Sequence, residues 1–221
     1  MSPLRILFSL LIINILIPFC RASAPYSEGK IDTLQTNGGL GKFAPLGVVK
    51  ESLLFKAAIH VFGDYYSGLI LVKQLPADSA IHVVFLSELG LNLLDMAFRN
   101  DRVEVVSVQE FLNRPSILKT LQNDFQTLLL DLSQIVEFKV RQMDDGVTEV
   151  LKFRYNSQRY AYNYCENLGP VRIRRRNGLF ERVDFQIGIG ETKKTGGPEP
   201  LEIRIVHRGI RLRIDLTELK R

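Results

Sequence analysis

Between Leu53 and Leu216 apolar side chains recur at every second position in one short run after another, and each run ends on turn-forming residues. A period of two is the mark of a β-strand with one face turned inward. Phe55, Ala57, Ile59 and Val61 alternate with Lys56, Ala58, His60 and Phe62, and Gly63-Asp64 follows as a turn. Tyr66 to Leu75 and Ile81 to Leu86 are apolar on both faces, so each must meet something on either side. Leu91 to Phe98 and Val103 to Val108 continue the pattern around Asn100-Asp101. Further on, Val136, Phe138 and Val140 alternate with Glu137, Lys139 and Arg141, and Asp144-Asp145-Gly146 is a hairpin signal. Thr148 to Tyr155, Arg159 to Tyr164, Val171 to Arg175 and Leu179 to Ile187 follow, with Asn177-Gly178 as a second hairpin signal. A Gly/Pro-rich loop over 188–200 precedes two last alternating runs, Leu201 to Val206 and Ile210 to Leu216. The pattern predicts about ten or eleven strands joined as an antiparallel meander.

One segment departs from this period. Ile117, Leu121, Phe125, Leu128, Leu129 and Leu132 recur at helical spacing after a start at Asn113, Pro115 and Ser116. Lys119, Gln122, Asn123 and Asp124 take the other side. An amphipathic helix of this kind must bury its stripe, most simply on the concave face of a sheet. A long meander curls because strands twist. The expected fold is therefore mainly β with one or few helices: a curled antiparallel sheet, or half-barrel, wrapped around a helix.

The N-terminus carries a different signal. Arg5 is followed by an apolar run from Ile6 to Phe19 and by small residues at Ala22, Ser23 and Ala24. That is the layout of a secretory signal peptide over 1–22, too short for a comfortable membrane span. Residues 23–46, rich in Ser, Gly, Thr and Asn, read as a flexible leader, and 47–221 as a single half-barrel domain. Cys20 is either removed with the signal or lipidated, although Ile17-Pro18-Phe19 makes a poor lipobox. Cys165 is the other of the two cysteines, so an internal disulfide is not expected and the core alone must hold the fold. An exported location follows, in the periplasm or on the periplasmic face of an outer membrane.

Charge is unevenly spread. Of the 29 Lys and Arg and 24 Asp and Glu, the basic residues concentrate after Val136. Arg172, Arg174 and Arg176 flank the Asn177-Gly178 turn, and Arg211 and Arg213 alternate with aliphatics. In an exported protein a basic face suits an anionic membrane surface or a carboxylate-bearing partner rather than nucleic acid, and a plain solvated face is the alternative.

The stretch Phe55-Lys56-Ala57, Tyr66-Ser67-Gly68-Leu69-Ile70-Leu71, Ile81-His82-Val83-Val84-Phe85 and Ser87-Glu88-Leu89-Gly90-Leu91 resembles the periplasmic lipoprotein carriers and receptors of the LolA/LolB type. It covers about a third of the chain and includes the short motif Ser87 to Leu91, which is similar to the Ser-x-Leu-Gly turn of the receptor branch. The resemblance implies an unclosed antiparallel half-barrel with a helical lid over an apolar cavity that holds acyl chains. The cavity would be lined by Ile59, Val61, Leu69, Leu71, Val83, Phe85, Leu121, Phe125 and Leu128, which a packed core would use equally well. Lipid acyl chains or lipoproteins are the expected ligands. The alternative is a structural or assembly factor of the outer membrane on the same scaffold.

No catalytic arrangement emerges. His60, His82 and His207 lack the spacing of a zinc site, Cys165 has no C-x-x-C partner, and no Gly-x-Ser-x-Gly motif occurs. A non-enzymatic protein without cofactor or metal is expected.

Overall fold

A computed structural model describes residues 27–29, 39–46, 52–75, 80–99, 102–132, 135–178, 181–189 and 200–220. The signal peptide read over 1–22, Cys20 included, lies outside them. Among the described residues thirteen strands form one antiparallel sheet. In chain order they are β1 (Ser27–Gly29), β2 (Leu53–Val61), β3 (Asp64–Gln74), β4 (Ile81–Ser87), β5 (Asn92–Arg99), β6 (Arg102–Val108), β7 (Phe138–Gln142), β8 (Thr148–Tyr155), β9 (Gln158–Cys165), β10 (Gly169–Asn177), β11 (Glu181–Ile189), β12 (Leu201–Arg208) and β13 (Leu212–Glu218). One α-helix, α1 (Pro115–Leu129), stands between β6 and β7. The sheet order is β1-β7-β8-β9-β10-β11-β12-β13-β2-β3-β4-β5-β6. It is a curled sheet that does not close, as the alternation implied.

Two meanders make up this order, β2 to β6 and β7 to β13, and the chain folds back so that β13 pairs with β2 in mid-sheet. Leu212 stands opposite Val61, Ile214 opposite Ile59 and Leu216 opposite Ala57. The hairpins follow local chemistry. Asp145 caps the β7–β8 turn by accepting the Val147 and Thr148 amides at 3.0 and 2.8 Å. Two residues with positive φ, Asn156 and Ser157, join β8 to β9 between the Tyr155–Gln158 pair. That geometry matches the twist of the flanking strands.

Directly opposed residues share a face, which fixes the inner surface. Across the centre it runs through Phe185, Ile205, Ile214 and Ile59, and across the later-sequence half through Leu151, Tyr162, Ile173 and Phe185. Over β2 to β5 it continues as Phe55, Ile70, Phe85 and Leu94. All of these are buried, and with Ile117, Leu121, Phe125 and Leu128 of α1 they belong to one hydrophobic cluster. At about 25 cal/mol per Å² of apolar surface, each such side chain contributes on the order of 1.5–3 kcal/mol.

The segment read as a flexible leader joins the sheet at one place and the core at another. Ser27–Gly29 pairs with β7 at the sheet edge. Leu40 to Phe43 forms a 3-10 turn that buries Leu40 and Phe43. Phe43 meets the edge of Tyr164 with ring centroids 5.7 Å apart, and Lys42 Nζ lies 2.7 Å from Glu149 Oε2. These residues belong to the domain rather than to a tether. Among the described residues no helix is long and apolar enough to cross a membrane.

Candidate binding site

The helix begins at Pro115, whose fixed φ suits a first helical position where no amide is needed. Its buried residues are Ile117, Leu121, Asp124, Phe125, Thr127 and Leu128. Asp124 is thus a correction to the sequence reading, which put it on the polar side. It lies three residues after Leu121 and four before Leu128, inside the apolar stripe.

A buried carboxylate needs partners, and the sheet supplies them. Arg175 comes inward from β10 and donates through Nη2 to Asp124 Oδ1 at 2.9 Å. Its Nη1 donates to Thr127 Oγ1 at 2.7 Å and to the Asn123 carbonyl. His207 comes inward from β12 and donates through Nε2 to Asp124 Oδ2 at 2.7 Å. Tyr162, on β9, donates its hydroxyl to the Thr127 carbonyl at 2.8 Å. Burial pushes the Tyr162 phenol well above its ordinary value, Tyr160 adds to the rise and Arg175 opposes it. Asp124 is 0% and Arg175 1% exposed, so water does not share these bonds. The guanidinium also lies over the Phe185 ring, 5.7 Å from its centroid.

The result is a helix laid on an apolar surface and tied to three strands by one compact polar cluster. Thr127 donates its own hydroxyl to the Asn123 carbonyl at 2.7 Å. Both Asp124 oxygens, the Asn123 and Thr127 carbonyls and the Thr127 hydroxyl are thereby bonded to side chains of the sheet.

The expected cavity residues divide by face. Ile59, Val61, Val83 and Phe85 are on the inner face with Leu121, Phe125 and Leu128 of the helix above it. Leu69 and Leu71 are corrected: they point to the outer face and are half-buried, while Ile70 and Val72 hold the inner positions. Alternation cannot phase a strand that is apolar on both sides. The register can, because Ile70 opposes Phe55 and Phe85.

The basic residues divide likewise. Arg172, Arg174 and Arg176 are on the outer face of β10 and Arg213 on that of β13, while Arg211 is exposed in the turn before β13. Arg175, between two of them, is the inward member of the run. Arg172, Arg174, Arg182 and Arg208 surround the Asp184 carboxylate with nitrogen–oxygen distances of 3.9, 3.2, 3.1 and 3.0 Å. Burial raises the Asp184 pKa, but the hydrogen bonds and charges of Arg174 and Arg182 outweigh it and hold the group below its ordinary value. Arg213 Nε reaches Asp215 Oδ2 at 2.8 Å.

The histidines and Cys165 do not converge. His60 packs at a tilt against Tyr65 with centroids 4.9 Å apart, His82 Nδ1 meets Asp95 Oδ1 at 2.9 Å, and Cys165 is a half-buried free thiol on β9. Among the described residues no group of three or more His, Cys, Asp or Glu side chains is placed to hold a metal ion.

What the sequence reading missed is the Asp124–Arg175–His207 cluster. Its signals were present: a carboxylate at stripe spacing, an arginine next to two outward ones, and a histidine in phase with Ile203 and Ile205. Comparison with protein-family models and with curated proteins finds no match for this chain.

Proposed function

We propose that the chain is a non-enzymatic lipid- or lipoprotein-binding protein of the cell envelope, of the LolA/LolB type, that takes acyl chains between the inner face of its sheet and α1. The observation that carries this reading is an unclosed antiparallel sheet whose apolar inner face is covered by α1. An acyl chain requires a continuous apolar surface and a cover that can be displaced. Ile59, Val61, Val83 and Phe85 supply the first. The cover is α1, and admitting a chain means breaking the bonds that tie Asp124 and Thr127 to the sheet.

A second reading has its own support. The inner-face side chains are nearly inaccessible, with Phe55 at 1% and Phe85 at 2% exposure. A structural or assembly factor with a filled core fits that closure without ligand transfer. The two readings separate in one titration. Delipidated protein mixed with a fluorescent fatty acid should give saturable emission that unlabelled fatty acid competes away, and native mass spectrometry of protein purified from its own envelope should show an adduct of lipid mass. Absence of both saturable uptake and co-purified lipid would sink the acyl-chain reading and leave the assembly factor.

A further inference from the structure

The outer face of β8 to β12 carries a feature that acyl-chain binding does not use. Register sets Arg208 opposite Arg182, Arg182 opposite Arg176, Arg176 opposite Arg159, and Arg159 opposite Arg154. Five neighbouring strands thus place an arginine at one level. Their chain neighbours His207, Val183, Arg175, Tyr160 and Phe153 are buried on the inner face, so all five arginines point outward. Strands lie about 4.8 Å apart, which makes the row about 19 Å long.

Like charges directly opposite each other destabilise a sheet. The carboxylate beside the row is Asp184, and it already serves Arg172 and Arg174 as well as Arg182 and Arg208. Among the described residues no carboxylate pairs with Arg154, Arg159 or Arg176, and all three are exposed. The excess positive charge is left for an external anion to offset.

The same end of the sheet holds the β2–β3, β4–β5 and β12–β13 turns, and these display large apolar side chains beside the exposed Asp64, Glu88 and Arg211. Leu89 is 89%, Leu91 63% and Tyr65 58% exposed, and Phe62 and Ile210 are exposed too. The Phe62 amide donates to the Arg211 carbonyl at 2.9 Å, which ties two of the turns together. Phe62 and Gly63 join β2 to β3 as a two-residue loop with φ of 53° and 106°. Such loops favour Asn or Gly at both places. Here a phenylalanine takes the strained one and is displayed to the outside.

We propose that this end of the sheet docks on an anionic phospholipid bilayer, with the apolar turns entering the interface and the arginine row meeting lipid phosphates. A soluble polyanion would satisfy the arginines and leave the apolar turns in water. A bilayer surface accommodates both. Docking needs neither α1 nor the inner face, so it stands apart from acyl-chain uptake and can fail or succeed independently of it.

The test is co-sedimentation of the full chain with vesicles of pure phosphatidylcholine and with equimolar phosphatidylglycerol and phosphatidylcholine. The apolar N-terminal run is common to every sample, so only differences are read. The anionic vesicles should bind at least about tenfold more tightly at low salt, and added salt should erase the preference. Replacing Arg159→Gln and Arg176→Gln together should weaken anionic binding by about 25-fold, at about fivefold for each arginine. Both substitutions relieve cross-strand repulsion, so thermal unfolding should show a transition no lower than the parent's. Leu89→Ser should weaken binding to both vesicles. No preference for anionic vesicles overturns the proposal. So does a preference unaffected by the double substitution, or an oligonucleotide binding more tightly than the anionic vesicles do.

Discussion

At the scale of single residues the molecule depends most on Asp124. It is a wholly buried carboxylate whose two oxygens are taken by Arg175 and His207. Breaking one side of a buried pair leaves the other charge without compensation, at a cost of about 3–5 kcal/mol. Asp124→Asn should therefore lower the unfolding free energy by that order, read from urea titrations followed by circular dichroism. A change below about 1 kcal/mol would show that the cluster does not hold the helix. Asp184 gives a pH signature. Its pKa is lowered in the folded protein from the ordinary 3.8. Its contribution to stability is therefore complete above the unfolded value and lost as pH falls through the folded one. Asp184→Asn should flatten the acid side of the stability profile below pH about 4 and leave its shape unchanged near neutrality. An acid limb unchanged by the substitution would count against the role given to the arginines around it.

At the scale of elements, α1 and the strands beneath it show which parts of the fold were readable. The helix was evident because its apolar residues recur with the right period, and its start was evident from Pro115. Leu121 is among its buried residues and sits in the main cluster. Leu121→Ala should cost about 2–5 kcal/mol, the range for a buried large-to-small change, measured by the same unfolding curves. An effect under about 1 kcal/mol would mean that the site collapses around the shorter side chain or that the helix is only loosely seated. Strands with one apolar face, such as β2 and β12, were phased correctly by alternation alone. For β3 the phase came out reversed at Leu69 and Leu71, because both of its faces are apolar. Gly68 shows what settles it: a Cβ there would collide with the Leu86 carbonyl oxygen. That fact belongs to the pairing of β3 with β4 and is absent from either strand read alone.

At the scale of the whole molecule, antiparallel order and curl follow from local periodicity and turn chemistry, while the expected ten or eleven strands fall short of the thirteen in the sheet, β1 being one that no period announces. The partners that make the candidate site do not follow from either. Arg175 and Asp124 are 51 residues apart in sequence, and His207 is 83 from Asp124. Alternation puts Arg175 in phase with the inward Ile173, but nothing local names its partners or indicates that five other arginines line up across β8 to β12. Both depend on register between hairpins, which is set by the turns that join them. Ser27–Gly29 and Leu40–Phe43 escaped recognition for a related reason: short segments without a period join the fold through distant strands, the first by pairing with β7 and the second by burying Leu40 and Phe43.

The pairing of β13 with β2 imposes an order of events. Until synthesis has passed Glu218, the growing polypeptide owns two separate ribbons, one ending in β2 and the other in β12, each with an unsatisfied border. Closing the gap between them is the contact of longest reach along the sequence, and such contacts are slow to form. A chain interrupted before Leu212 would keep both borders bare, the condition under which strands recruit neighbours and aggregate. Completion of the sheet thus waits for β13.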